Sequence, residues 1–252
     1  MNNFDLISCA TADELARAVA SAWLDEIEMA NRAGKTHCVA LSGGRIARNF
    51  FAAVVEQARA RKIGNGGTPS LPTNAHFFWA DERCVPPDDP ESNFYLAKER
   101  LFGPLKIGDA QIHRIHGEDL LEAAAVAAAT EISQIAPSND AGQPVLDIIF
   151  LGMGEDGHVA SLFPGESDVL ILDKVIYRAV KNSPKPPPNR VTLGYTTITA
   201  AKQVWVLVSG DGKETALRES LSSKGRTPLA RVTQFRTRTK IFSDFPLIER
   251  AK

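Results

Sequence analysis

The feature that most constrains this chain is a nearly unbroken apolar run, Val145-Leu146-Asp147-Ile148-Ile149-Phe150-Leu151. It ends abruptly in Gly152-Met153-Gly154-Glu155-Asp156-Gly157-His158. A strand without polar alternation has to be covered on both faces, which is the situation of an inner strand in a parallel sheet. The same pattern recurs along the chain. His37-Cys38-Val39-Ala40-Leu41 runs into Ser42-Gly43-Gly44, and Ala75-His76-Phe77-Phe78-Trp79-Ala80 into Asp81-Glu82-Arg83. Val204-Trp205-Val206-Leu207-Val208 runs into Ser209-Gly210-Asp211-Gly212-Lys213, and Ile241-Phe242 reads as a last short strand.

Helical periodicity fills the intervals. Thr11-Ala12-Asp13-Glu14 is a capping box, with the threonine capping the third helical amide and Glu14 reaching back. Leu15, Val19, Trp23 and Ile27 follow at steps of four, and Gly34 is a natural stop. Ile46, Phe50 and Val54 define the apolar face of a second helix. Further helices are predicted from near Ser92 to near Phe102 and from about Glu118 to Ile135, the latter halted before Pro137. Ile63 to Asn74 reads as a surface loop, Pro184 to Pro188 as a stiff one, and Ile112 to Gly117 alternates like a strand. Alternating strands and helices predict an α/β fold: a mostly parallel, Rossmann-like sheet with helices on both faces, in one domain spanning residues 1–252.

Charge narrows the partners. Lysine plus arginine number 29 against 30 aspartates and glutamates, a net charge of -1, so neither nucleic acid nor an anionic membrane is expected. An anionic ligand would have to be held by a local cluster of cations. The three cysteines, Cys9, Cys38 and Cys84, are widely spaced and suggest neither a disulfide framework nor a zinc site. No basic segment followed by an apolar run opens the sequence, and no stretch has membrane-spanning length, so the cytoplasm is the expected compartment.

In open α/β sheets ligands collect beyond the carboxyl ends of the strands, where this chain places its four unusual turns. Glycines there let backbone amides approach an anion, and a following helix adds a favourable dipole. The turn from Gly152 to His158 is the most informative. Its glycines shape the loop, and Asp156 stands two residues from His158, close enough to orient the imidazole and support its protonated form. Asp81 and Arg83 supply a carboxylate and a guanidinium at another strand end, and Arg190 and Lys213 are candidate phosphate ligands. No metal is expected, because the five histidines form no ligand-spaced cluster.

These segments, in this order, resemble the 6-phosphogluconolactonases, within the wider group of glucosamine-6-phosphate deaminases and ribose-5-phosphate isomerase-like proteins. The resemblance is carried by Leu41-Ser42-Gly43-Gly44, by Trp79-Ala80-Asp81-Glu82-Arg83 with Ser92-Asn93, and by Leu151 through Gly165. Asn189-Arg190-Val191-Thr192-Leu193 and Gly210-Asp211-Gly212-Lys213 complete it. It implies hydrolysis of 6-phospho-D-glucono-1,5-lactone without a cofactor. By position, His158 would be the general base that activates water and Asp156 its orienting neighbour. Asp81 would line the sugar site, and Arg83, Arg190 and Lys213, with the amides of Gly43 and Gly44, would surround the phosphate. The family commonly continues the glycine pair with Ser-Thr-Pro, whereas this chain has Arg45-Ile46-Ala47, so Arg45 becomes a candidate replacement for the missing hydroxyls. Two other readings share the scaffold. One is a deaminase or isomerase with Asp81 as base, the other a sugar-phosphate sensor without turnover.

Overall fold

The structure, a computed structural model, describes residues 3–61 and 71–246. Six parallel strands form the central sheet: β1 (Phe4–Ser8), β2 (His37–Leu41), β3 (Ala75–Trp79), β5 (Ile148–Gly152), β8 (Gln203–Val208) and β9 (Thr239–Ser243), in the order β1-β9-β8-β5-β2-β3. All five residues of β2 and the first four of β5 are buried, so both faces of the inner strands are covered, as their unbroken hydrophobicity requires. After β2 the chain steps outward to β3 and then returns to place β5 on the other side of β2. That reversal opens a crevice between the carboxyl ends of β2 and β5.

Helix α1 (Ala12–Arg32) begins as the capping box predicts, with Thr11 Oγ1 accepting from the Glu14 amide at 3.1 Å. Glu14 reaches back one residue further than expected, to the amide of Ala10 at 2.8 Å. Gly34, at φ +63°, closes the helix in a Schellman turn: its amide bonds Asn31 O and the Lys35 amide bonds Ala30 O. Helix α2 (Arg45–Ala60) lies against α1 and buries Ile46, Phe50 and Val54. Trp23, fully buried, meets the rings of Phe50, Phe77 and Phe150 and donates to His37 Nε2 at 3.3 Å, tying α1, α2 and the sheet into one core.

Several expectations shift. The helix after Ser92 starts as α3 (Asn93–Ala97), then widens into a π-turn over Lys98–Phe102. Helix α4 (Leu121–Ile135) starts later than Glu118, because turns at Gly117 and Asp119 precede an extended Leu120; the Glu118 carboxylate lies outside the helix in a two-pronged ion pair with Arg114 at 2.9 and 2.6 Å. Ile112 to Gly117 is not a strand. Only Ile112 bridges to Phe77, yet His113 and His116 do differ in setting, one packed on Phe78 and the other exposed. Of the predicted loop from Ile63 to Asn74, residues 63–70 lie outside the described residues.

The largest departure is a second sheet. Asp81-Glu82-Arg83 forms β4 (Asp81–Arg83), which pairs antiparallel with β7 (Arg190–Leu193), and β7 pairs with β6 (Tyr177–Val180). This small sheet is tied to the end of β3 by Leu193 N to Ala80 O at 2.8 Å and Tyr177 Oη to Trp79 O at 2.7 Å. Short helices α5 (Tyr195–Ala200), α6 (Glu214–Ser220) and α7 (Pro228–Gln234) complete the chain. Trp23→Ala is expected to cost about 3–5 kcal/mol, because it empties a large site and leaves His37 Nε2 unpaired. Urea unfolding checks this, with the exposed Met29→Ala as a control expected to change stability by less than about 0.5 kcal/mol.

Candidate active site

The four strand ends singled out from the sequence belong to four neighbouring strands, β8, β5, β2 and β3. Their turns line one cleft enclosing about 880 Å³, part of it open to solvent. Gly43, Gly44, Arg45, Asp81, Arg83, His158, Arg190 and Lys213 all line it, as does Lys185 from the proline-rich loop. Asp156 stands behind His158 and does not face the cleft.

The turn after β5 is a miniature hairpin. Met153 bridges Val159, the Gly154 amide bonds His158 O at 2.9 Å, and the Gly157 amide bonds Gly154 O at 3.0 Å. A Cβ on Gly154 would sit 2.0 Å from His158 Nδ1, so only glycine lets the ring fold back over the turn. There Nδ1 lies 2.5 Å from Asp156 Oδ1. Burial pulls the His158 pKa below its ordinary value despite the opposing pull of Asp156, so the ring is neutral at pH 7. Burial is the largest single influence and would raise the Asp156 carboxyl, but the side-chain and backbone bonds from His158, with the charges of His158 and Lys185, together make the net shift downward. An ionised Asp156 can only accept, so the proton sits on Nδ1 and Nε2 carries a free lone pair. The Phe163 ring, 4.9 Å away, packs against the imidazole.

The turn after β2 leads into an uncapped helix start. Gly44 adopts φ 94° and ψ 176°, a region open essentially to glycine alone, and α2 starts directly after it with no side-chain cap and no acidic residue in its first turn. The first amides of the helix therefore stay unpaired by side chains beside the cleft. Arg45 is exposed and its Nη2 approaches the Gly210 turn. Burial, and after it the charge of Arg45, lower the pKa of Lys213. Ile46 and Ala47 are buried in the core.

On the third side, Asp81 is buried and fully engaged, with Oδ2 accepting from Ser161 Oγ at 2.7 Å and Oδ1 from Asn93 Nδ2 at 3.4 Å. Asn93 also leaves no room for a Cβ on Gly43, which would lie 1.8 Å from its Oδ1. Arg83 and Arg190 face each other in the β4–β7 register, and burial followed by the charge of Arg83 lowers the Arg190 pKa. Arg83 Nη1 turns to Glu91 O at 3.0 Å. Arg190 lines the cleft but donates mainly to backbone carbonyls of the proline loop. Five lining cations, Arg45, Arg83, Lys185, Arg190 and Lys213, thus face two carboxylates, Asp81 and Glu155.

Glu82, between the two residues singled out in its segment, has a different task. Its carboxylate accepts from the amides of Arg83, Asn93 and Phe94 at 2.7–2.8 Å and from Ser92 Oγ at 3.1 Å, fixing β4 to the start of α3. Burial pushes its pKa up to about 7 against those amide bonds. Sequence reasoning missed Glu82 and Lys185. The Ser92-Asn93 spacing carried a signal for the first, whereas the second sat in a segment read only as a stiff loop.

The arrangement defines an α/β protein with a cation-rich cleft and a neutral histidine paired to a carboxylate. The chain matches the family model described as glucosamine-6-phosphate isomerases/6-phosphogluconolactonase over residues 10–241. It is 33% identical over 222 residues to a 6-phosphogluconolactonase of Streptomyces coelicolor, covering 84% of this chain and 80% of that one. The solved 6-phosphogluconolactonase of Trypanosoma brucei superposes with a TM-score of 0.79 at 26% identity, covering 96% of this chain and 97% of that one. A monomeric glucosamine-6-phosphate deaminase shares the fold, at TM-score 0.76 and 21% identity over 95% of this chain and 97% of that one. The chain belongs to the glucosamine-6-phosphate isomerase/6-phosphogluconolactonase family.

Two measurements probe this geometry. In Asp156→Asn the His158 pKa, followed by NMR, is expected to fall below its value in the parent, because the charge that opposes burial is gone. A rise, or no change, would contradict the pairing. Glu82→Gln is expected to cost about 1–3 kcal/mol, since an amide nitrogen then faces a backbone donor. It should also flatten the pH dependence of stability. The raised Glu82 pKa makes the folded chain hold more protons than the unfolded one from about 4.5 to about 7, so its contribution is full below that window and lost as pH rises through it. Denaturation midpoints across that range read the slope.

Proposed function

We propose that this chain hydrolyses 6-phospho-D-glucono-1,5-lactone to 6-phosphogluconate, with His158 as general base. The observation that carries this reading is the neutral His158, its Nδ1–H held by Asp156 and its Nε2 free, in a cleft rich in unneutralised cations. The phosphate dianion is placed at the start of α2, on the amides after Gly43 and Gly44 and between Arg45 and Lys213. That end of the cleft pushes like charges together and gains most from an anion. Binding there orients the ring at a distance from the reacting carbon.

Water then attacks C1 as its proton passes to His158 Nε2, and the carbonyl electron pair moves onto the exocyclic oxygen. Asp156 stabilises the imidazolium that results. When the tetrahedral adduct collapses, the bond from C1 to the ring oxygen breaks and the imidazolium returns its proton to that oxygen. The products are a carboxylic acid, which ionises in water, and a free hydroxyl. No cofactor takes part in these steps. The deaminase or isomerase reading needs Asp81 as a mobile base, and the engagement of both its oxygens by Ser161 and Asn93 weighs against that role.

A coupled assay for 6-phosphogluconate on the purified chain is expected to show lactone-dependent turnover. His158→Ala should lower kcat by about 10²–10⁴-fold with the circular dichroism spectrum unchanged. Near-normal turnover by that folded variant would remove His158 as base. Ammonia release from glucosamine 6-phosphate, with no lactone hydrolysis, would replace the lactonase by the deaminase.

A further inference from the structure

Of the five cations around the cleft, Arg83 binds the Glu91 carbonyl and Arg190 binds the proline loop. Arg45 and Lys213 flank the start of α2, the end given above to the phosphate. Lys185, like those two, has no hydrogen-bond or ion-pair partner among the described residues, but it lines the cleft from the proline loop and its charge acts on the His158–Asp156 pair.

The loop that carries it is braced from one side only. Its base closes through Ser183 N to Pro188 O at 2.7 Å, and Ser183 Oγ donates to Lys185 O at 2.9 Å. Pro184, Pro186, Pro187 and Pro188 have no amide hydrogen, so between its ends the loop has only the Lys185 amide to donate, and that goes to Ser183 Oγ at 3.3 Å. The missing donors come from Arg190. Nη2 donates to Lys185 O at 3.0 Å and to Pro186 O at 2.9 Å, and Nε to Pro187 O at 3.1 Å. Nη1 lies 3.4 Å from Ser161 Oγ, and the guanidinium carbon sits 5.8 Å from the Phe163 ring that packs on His158. One nearly buried guanidinium thus spends its three shortest bonds on the Lys185 loop and only approaches Ser161 and Phe163.

We infer that Lys185 is a further catalytic residue, its ammonium stabilising the oxyanion that forms at C1, and that Arg190 is the positioning residue that holds the Lys185 loop in place. This rests on the lactonase reading. Hydrolysis moves an electron pair onto the exocyclic oxygen and returns it when the ring bond breaks, so a fixed, unpaired cation beside the base is worth most in the transition state. Lys185 is also close enough to His158 for its charge to oppose protonation of the ring, where Asp156 and Asp81 favour it.

The test uses the full chain and the phosphorylated lactone. Lys185→Met keeps the length of the side chain and removes its charge. It is expected to lower kcat by about 10²-fold or more with KM within about threefold. The acidic limb of kcat/KM should move to higher pH, because one charge that holds the His158 pKa down is gone. A purely structural role would not move that limb. Arg190→Gln should also lower kcat, but add nothing in the Lys185→Met background. Pro187→Gly, which loosens the loop and leaves both side chains, should behave like Arg190→Gln if that variant does not fold. A raised KM at unchanged kcat in Lys185→Met would move Lys185 to the phosphate and overturn the inference, as would unchanged kinetics. Full additivity with Lys185→Met would overturn the positioning role. If the parent chain does not hydrolyse the lactone, the lactonase reading itself fails, a result seen before any variant is made.

Discussion

Parallel pairing of β8, β5, β2 and β3 sends four consecutive sheet ends to the same edge, and everything else in the site depends on that constraint. Parallel strands need long crossovers, so each of the four can finish in a turn of its own character. One turn supplies helix amides, one the imidazole and its carboxylate, one the Lys213 ammonium, and one leads into the second sheet. The reversal between β2 and β5 separates the crossovers there and leaves the crevice open. Hydrophobic burial on both faces makes the platform rigid, so the turns can be shaped by glycine without the site losing its geometry.

The second sheet adds what the parallel sheet lacks. It brings Arg83 and Arg190 into register against each other, an arrangement that costs energy in an empty site and is relieved by an anion or by neighbouring carbonyls and carboxylates. Arg190 is relieved by the proline loop and Arg83 by Glu91. The cations of the α2 side, Arg45 and Lys213, have no such bonds: burial and Arg45 lower the Lys213 pKa, and Asp244 and Glu155 oppose them. In the proposed complex that difference is the reason to seat the dianion at this end of the cleft and the reacting carbon at the other.

Much of this was legible in the sequence because it was written in local pattern. Unbroken apolar runs fixed the inner strands, and glycines after them marked the turns, so His158, Asp81, Gly43, Gly44, Arg45, Arg83, Arg190 and Lys213 were all placed around one cleft. What stayed hidden depends on pairing between distant segments. Asp81-Glu82-Arg83 looks like a charged strand end, and nothing local says that it pairs with residues 190–192 or that Glu82 points inward to cap α3. Arg190 reads as a free cation until the carbonyls of residues 185–187 are seen to occupy its donors. Glu118 has helix-forming character, and only the backbone turns at Gly117 and Asp119 and the extended Leu120 show that α4 starts after it.

The Arg45-Ile46-Ala47 segment shows how a departure from a family pattern is settled by burial. Ile46 and Ala47 are almost fully buried, packed under the first turn of α2, whereas Arg45 is exposed. In the family pattern the serine falls at position 45, the threonine at 46 and the proline at 47, so only the threonine hydroxyl would sit at a buried position and need a partner there or in the cleft. This chain puts apolar Ile46 at that position and a guanidinium in place of the serine hydroxyl at the exposed one. The amides after Gly43 and Gly44 are unaffected, since they depend on backbone conformation alone. In the proposed complex the phosphate is therefore gripped by amides and by the charges of Arg45 and Lys213, a field that acts at longer range than hydroxyl contacts and tolerates a less exact fit.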